Sequence, residues 1–456
     1  MRNTSFSILA IIFMVSVSLT AQNNINLTTA KSMAIESHVS IANSQLEIDG
    51  AKISQEEAKT HYYPQVNFDG MLMHSISPLL ELHSPEGNLP VYDGNPSNLA
   101  NATEFAYIPA STTGLLQKVG LANLTIAQPI YTGGKIKLGN EMASLGVDIR
   151  EEQKRMTENE VLLNTEQQYW QIVALQEKQK TIDEYRRLLD QLYIQVNDAY
   201  QAGLIIRNDV YKVELERSQL EINTHKLQNG KELALRQFTN TIGMPFDSTL
   251  YLQDDLENFE QPQFYVNLNQ DYLTQLSEIK LLEKSAEMQN LQTKMKEAGY
   301  KPTVAAGINT FYLTQFEEES SGVNALGFAS VSIPLSHIWK GKHDIQVQKI
   351  EEEIVQNTLA DTRELLQLRT AKSWTDLREA YEEIKIMEGR IVQANENLRV
   401  NQSSYENGVV TLSDFLEAKA LQTQALDDLI DAKTKYKVAI ATYLQHIGKA
   451  DMIGNE

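Results

Sequence analysis

Acidic side chains behind two matching turns are the residues of this sequence with the most scope for chemistry. Asp209 stands nine residues after Tyr200 in the turn Tyr200-Gln201-Ala202-Gly203, and Asp414 stands nine after Tyr405 in Tyr405-Glu406-Asn407-Gly408. Carboxylates can hold cations, exchange protons or cap a helix, and their surroundings decide which. An acid in the first turn of a helix is favoured by the helix dipole, which accounts for both Asp209 and Asp414. It does not account for Glu417, whose counterpart in the first turn is Lys212. Nothing nearby completes a catalytic set. There is no Cys, the eight His show no His-Glu-x-x-His spacing, and His61, His74 and His83 are irregularly placed. Thiolate sites and paired-imidazole metal sites are therefore excluded, and no cofactor is called for. The Glu317 to Glu319 run reads as a solvated loop, and Trp170 and Trp374 read as helix-packing residues. The sequence does not describe an enzyme.

The chain opens with an apolar stretch from Ile8 to Leu19 that ends at Ser18-Leu19-Thr20-Ala21. Its core of about 12 residues is too short to span a bilayer as a helix, so residues 1–21 read as a secretory signal peptide with Gln22 as the first mature residue. No later stretch approaches a membrane helix, so any membrane segment must be made of strands. The formal charge of −20 becomes −21 once Arg2 is removed, which argues against nucleic acid and against an anionic lipid surface as principal partners.

The elements that carry the acidic turns are duplicated. A constant offset of 205 relates Tyr200 to Tyr405, Asp209 to Asp414, Gln219 to Gln424, Ile242-Gly243 to Ile447-Gly448 and Pro129 to Pro334. Upstream, Tyr62-Tyr63-Pro64-Gln65-Val66 resembles Tyr300-Lys301-Pro302-Thr303-Val304 at a larger offset, because the first half carries an insertion. The chain divides into a first repeat over 22–243, a linker over 244–270, a second repeat over 271–448 and a tail over 449–456. Each repeat reads as helix, strand, loop, strand, long helix, tight turn, helix.

Ile182, Tyr185, Leu189, Leu192, Val196 and Ala199 recur at spacings of three and four, as do Ile384, Met387, Ile391, Ala394 and Leu398. Such seams seek helical neighbours. After the second turn Phe415, Ala418, Ala425, Leu429, Ala432, Tyr436, Ala439 and Tyr443 continue the seam, interrupted by Gln422. A helix from about Lys137 to Ala199 would be roughly 95 Å long. Strands are expected over Gln65 to Ile76, Leu115 to Ile130, Val304 to Phe316 and Asn324 to Leu335, each long enough for a tilted transmembrane strand. Val304, Ala306, Ile308 and Tyr312 alternate against Asn309. The Pro- and Gly-rich segment from Pro78 to Pro109 and the Glu317 to Gly322 segment read as exposed loops. Four strands cannot close a barrel, and open edges cannot face lipid, so several chains must share one. Two, three or more protomers satisfy that condition.

The turns at Tyr200 to Asp209 and Tyr405 to Asp414, the Tyr-x-Pro approaches at Pro64 and Pro302, and the exits Gln128-Pro129-Ile130-Tyr131 and Ile333-Pro334-Leu335 resemble the TolC-like outer membrane efflux protein family. The resemblance covers nearly all of the mature sequence. It implies an α+β membrane protein of coiled-coil hairpins with four transmembrane strands per protomer, a homotrimer with a 12-stranded barrel in the outer-membrane lipid and a periplasmic helical barrel. It implies an equatorial belt, for which Met244 to Gln270 and the carboxyl terminus are the candidates. It further implies a passive exit duct fed by an inner-membrane pump, with a periplasmic adaptor (membrane fusion protein) docking at the Gly203, Asp209, Gly408 and Asp414 turns. By position, Asp414 and Glu417 would ring the resting constriction, with Tyr405 in the gating network. Carboxylates around one axis repel, so the ring would recruit cations or protonate in part. Val410 replaces a basic gating residue found in some relatives, and Ser37-His38 stands where Asn-Pro is common. The reading that competes is a secreted structural or adhesive coiled coil, which explains the heptads but not the paired strands.

Overall fold

The computed structural model describes residues 24–266, 271–315 and 321–449. The expected leader over 1–21, the end of the linker, the Glu317 to Glu319 run and the tail beyond Lys449 lie outside the described residues. The first repeat begins with a short strand β1 (Asn24–Ile25) and helices α1 (Leu27–Ser37) and α2 (Val39–Thr60). Strands β2 (Gln65–His74), β3 (Leu80–Ser84), β4 (Gly87–Pro90), β5 (Phe105–Ile108), β6 (Ser111–Leu115) and β7 (Lys118–Tyr131) follow. The long helices α3 (Lys135–Gln201) and α4 (Arg207–Thr241) complete it. After β8 (Tyr251–Leu252), the second repeat runs α5 (Ser277–Ala298), β9 (Thr303–Gln315), β10 (Ser321–Ser332), α6 (Gly341–Glu406) and α7 (Leu412–His446). The expected order of elements is present in both halves. Ser37-His38 marks the break between α1 and α2, where the His38 backbone turns extended.

In space the chain forms two compact units, each drawn from both repeats: one comprises residues up to 49, 148–285 and from 356, the other 50–147 and 286–355. The second of these holds an antiparallel sheet in the order β10, β9, β7, β2. Its four strands lie within a few residues of the expected segments. Pro129, which has no amide hydrogen to give, sits at a register shift in β7. Val66, Phe68 and Leu72 share one face with Leu124, Ile126, Ile308 and Tyr312, and all are exposed. The opposite face carries Asn67, Thr125, Asn309 and Leu326 in one register row and Asp69, Asn123, Phe311 and Asn324 in the next. Asn309 Nδ2 donates to Asn123 Oδ1 at 2.7 Å and to Thr125 Oγ1 at 2.8 Å. β2 and β10 are unpaired edges of this sheet.

The segment from Pro78 to Pro109 is exposed as expected but is not a plain loop. It contains the antiparallel ladder of β4 with β5, and β3 pairs with β6 just beyond it, supported by the strand-forming residues Leu80, Leu82, Phe105 and Tyr107. Leu116 at φ 61° turns the chain from β6 into β7, so β7 begins later than Leu115.

The first unit is helical. The expected seam of α3 is buried at Tyr185, Leu189, Leu192 and Val196 against Val210 and Val213 of α4 and Leu412, Phe415 and Leu416 of α7. Ile384 of the α6 seam is buried, while Ile391, Ala394 and Leu398 are only half covered. The linker strand β8 pairs in parallel with β1, and Leu250, Leu252 and Leu256 join the core around Tyr169, Ile172 and Phe238. A buried polar network ties this region together. The Tyr169 hydroxyl donates to Asp254 Oδ2 at 2.5 Å, and the Leu27 amide donates to the same oxygen at 2.9 Å. Lys31 pairs with Glu166 at 2.5 Å, and Trp170 Nε1 donates to Glu166 Oε1 at 3.2 Å. Trp170 thus packs within the helices, and Trp374 does the same against Tyr443 at 5.2 Å.

Candidate gating site at the paired turns

Both turns begin as helix caps of one design. Gly203 at φ 72° and Gly408 at φ 71° adopt the left-handed conformation that a side chain resists. The Gly203 amide donates to Tyr200 O and the Leu204 amide to Ala199 O; Gly408 and Val409 repeat the pattern with Tyr405 O and Ser404 O. These paired bonds are the Schellman motif, which closes the last carbonyls of α3 and α6.

The next helices start differently. α7 is capped by Thr411: the Asp414 amide donates to Thr411 Oγ1 at 3.3 Å, and Asp414 Oδ2 accepts from the Thr411 amide at 2.8 Å and its hydroxyl at 2.7 Å. This reciprocal capping box holds the Asp414 carboxyl below its ordinary range; nearby Lys212 acts in the same direction. In the first repeat Ile206 occupies the equivalent cap position and offers no side-chain bond. Asp209 instead pairs with Lys212 Nζ at 3.1 Å.

Tyr405 is half-buried, with its ring stacked on Phe415 at 5.4 Å and 11° between planes. Burial raises its hydroxyl above the ordinary range, and the charge of Asp209 adds to that effect. Asp209, Lys212, Tyr405 and Asp414 therefore form one patch between the two turns. Glu417 is not part of it: it is exposed and makes no hydrogen bond or ion pair among the described residues. Gly203 and Gly408 are exposed, and Val410 is half-buried beside the Thr411 cap.

Two residues with a part in this site escaped the sequence. Lys212 appeared there only as the counterpart of Glu417, yet it lies beside both turn aspartates. Lys419 is buried beneath the patch, its Nζ 5.5 Å from the Tyr185 ring centre and donating to Gln422 Oε1 at 2.8 Å. Burial lowers its pKa, and Glu184 opposes that shift. The polar break at Gln422 in an apolar seam was the visible signal for it.

The site holds a dense set of charges, and among the described residues no group of three or more His, Asp or Glu is placed to hold a metal ion. The paired turns close long helical hairpins, and the four-stranded sheet is apolar on one face. A family model described as outer membrane efflux protein matches residues 281–449. Most of the second repeat therefore matches an outer membrane efflux protein domain. Solved structures share the fold. The Campylobacter jejuni CmeC outer membrane channel is 13% identical with a TM-score of 0.71, covering 93% of this chain and 86% of its own. The Vibrio cholerae outer membrane protein VceC is 14% identical with a TM-score of 0.68, covering 92% and 96%. The Neisseria gonorrhoeae MtrE outer membrane channel is 13% identical with a TM-score of 0.70, covering 93% and 89%. No curated protein matches the chain in sequence.

Proposed function

We propose that three copies of this chain form the passive exit duct of a tripartite efflux or type I secretion system in a Gram-negative outer membrane. The carrying observation is the sheet: four strands, both edges unpaired, and one face of exposed apolar side chains from Val66 to Tyr312. In lipid such edges must be paired, and pairing β2 of one copy with β10 of the next closes a barrel of 12 strands from three copies. The helices favour the same assembly. Tyr211, Leu215, Ile222 and Leu233 leave an exposed apolar stripe on α4, and Leu365, Leu368 and Ile386 leave another on α6. A secreted coiled coil would account for these stripes but has no use for the apolar sheet.

In this reading residues 1–21 direct the chain across the inner membrane and are removed, and the segment 244–270 forms an equatorial belt with β1 and β8. The pump supplies the energy, and a membrane fusion adaptor docks at the turns bearing Gly203, Asp209, Gly408 and Asp414. Asp414 and Glu417 line the resting constriction, and Tyr405 braces it through Phe415. Because Lys212 offsets part of the charge of Asp414, Glu417 contributes most of the unpaired negative charge there. The test is fractionation of cells expressing the full chain. A heat-modifiable trimer in the outer membrane is expected, and recovery of the folded protein only in culture supernatant would contradict the reading.

A further inference from the structure

Asp69 is the one carboxylate among the described residues of β2, β7, β9 and β10. It lies on the face of the sheet with Asn67, Asn123, Thr125, Asn309 and Asn324, opposite the apolar face. Its register neighbour Asn123 is committed to Thr125 and Asn309. Asp69 itself is exposed and makes no hydrogen bond or ion pair among the described residues. An unpaired carboxylate is costly against hydrocarbon, whereas the amide-lined face of a barrel strand faces water. Asp69 stands four residues beyond Gln65, about 13 Å along the strand at ~3.4 Å per residue. At a tilt of roughly 40° that is about 10 Å of height within an apolar band about 25 Å tall.

We infer that Asp69 is a second charge-selecting position of the duct, placing one free carboxylate per copy on the lumen wall at mid-membrane, independent of the turn carboxylates. The inference rests on the proposed barrel. A fixed charge on the wall of a wide pore acts on ions over the screening distance, which is about 10 Å at 0.1 M salt and about 3 Å at 1 M. Its effect therefore belongs to low salt. The chemistry selected is cationic or zwitterionic solute over anionic solute of equal size.

The test uses the full-length assembled protein in a planar bilayer, with Asp414→Asn and Glu417→Gln as the background so that the turns do not mask the barrel. Adding Asp69→Asn should lower the cation-to-anion permeability ratio about twofold in 0.1 M potassium chloride gradients and leave it unchanged near 1 M. An unchanged ratio at 0.1 M, through channels of normal conductance, overturns the inference while leaving the duct intact. Absence of any channel from the unsubstituted protein overturns the duct and the inference with it. A second measurement uses the chain's freedom from cysteine. In Asp69→Cys, a membrane-impermeant cationic thiol reagent should label intact trimers and lower the cation-to-anion permeability ratio further. Failure of every water-soluble reagent to label that cysteine would place the position against lipid and overturn the inference.

Discussion

At the scale of single residues, Asp414 and Glu417 sit three apart on one helix yet differ in every surrounding. Asp414 is held by the Thr411 hydroxyl and amide and lies near Lys212, so its charge is fixed in place and partly offset. Glu417 has neither constraint. The Thr411 hydrogen bonds favour the charged form of Asp414, so lowering the pH should discharge it only below the ordinary carboxylate range, the capping contribution being present above that range and lost as the folded-state group protonates. Asp414→Ala with Glu417→Ala should therefore raise conductance or weaken block by trivalent cations, and Glu417→Ala alone should account for most of the lost block. Conductance and block equal to those of the unsubstituted protein would remove both residues from the constriction. The two acids were legible because one obeys the repeat and the other breaks it. Lys212 and Lys419 were not, because their roles depend on which side chains meet across the turns.

At the scale of elements, four helices end in the same glycine cap. Gly203 and Gly408 terminate α3 and α6, and Gly243 and Gly448 terminate α4 and α7, all with φ between 70° and 74°. Their roles separate on what a side chain would meet. A Cβ at Gly203 or Gly408 finds open space, whereas one at Gly243 would lie 2.4 Å from the Ser37 side chain. Gly203→Val and Gly408→Val should thus strain the turn alone, by roughly 1–2 kcal/mol each for the left-handed backbone. The expected outcome is a trimer of normal yield that co-purifies poorly with its adaptor; loss of the trimer itself would assign these turns to assembly. The offset of 205 made these caps visible in the sequence. The ladders of β3 with β6 and β4 with β5 were hidden, because four- and five-residue strands among Pro and Gly carry too little alternation to register.

At the scale of the whole molecule, the sequence repeats and the compact units are different divisions of one chain. The repeats were legible from Tyr200 and Tyr405, and the seams of α3 and α7 from their spacing. The units were not, because the sheet joins β7 of the first repeat to β9 of the second, a pairing between residues such as Thr125 and Asn309 that no local pattern announces. That same pairing leaves β2 and β10 as the free edges on which the proposed shared barrel depends. Half-covered seam residues such as Ile391 and Leu398 fit the proposed assembly, in which neighbouring copies would cover the rest.

The central claim is that assembled copies enclose a water-filled path whose narrow end carries carboxylates. Single-channel recording of the purified trimer in a planar bilayer, with and without trivalent cations on the periplasmic side, tests it most directly. A stable, small conductance that those cations block is predicted. Folded, trimeric protein that gives no channel at all would contradict the account.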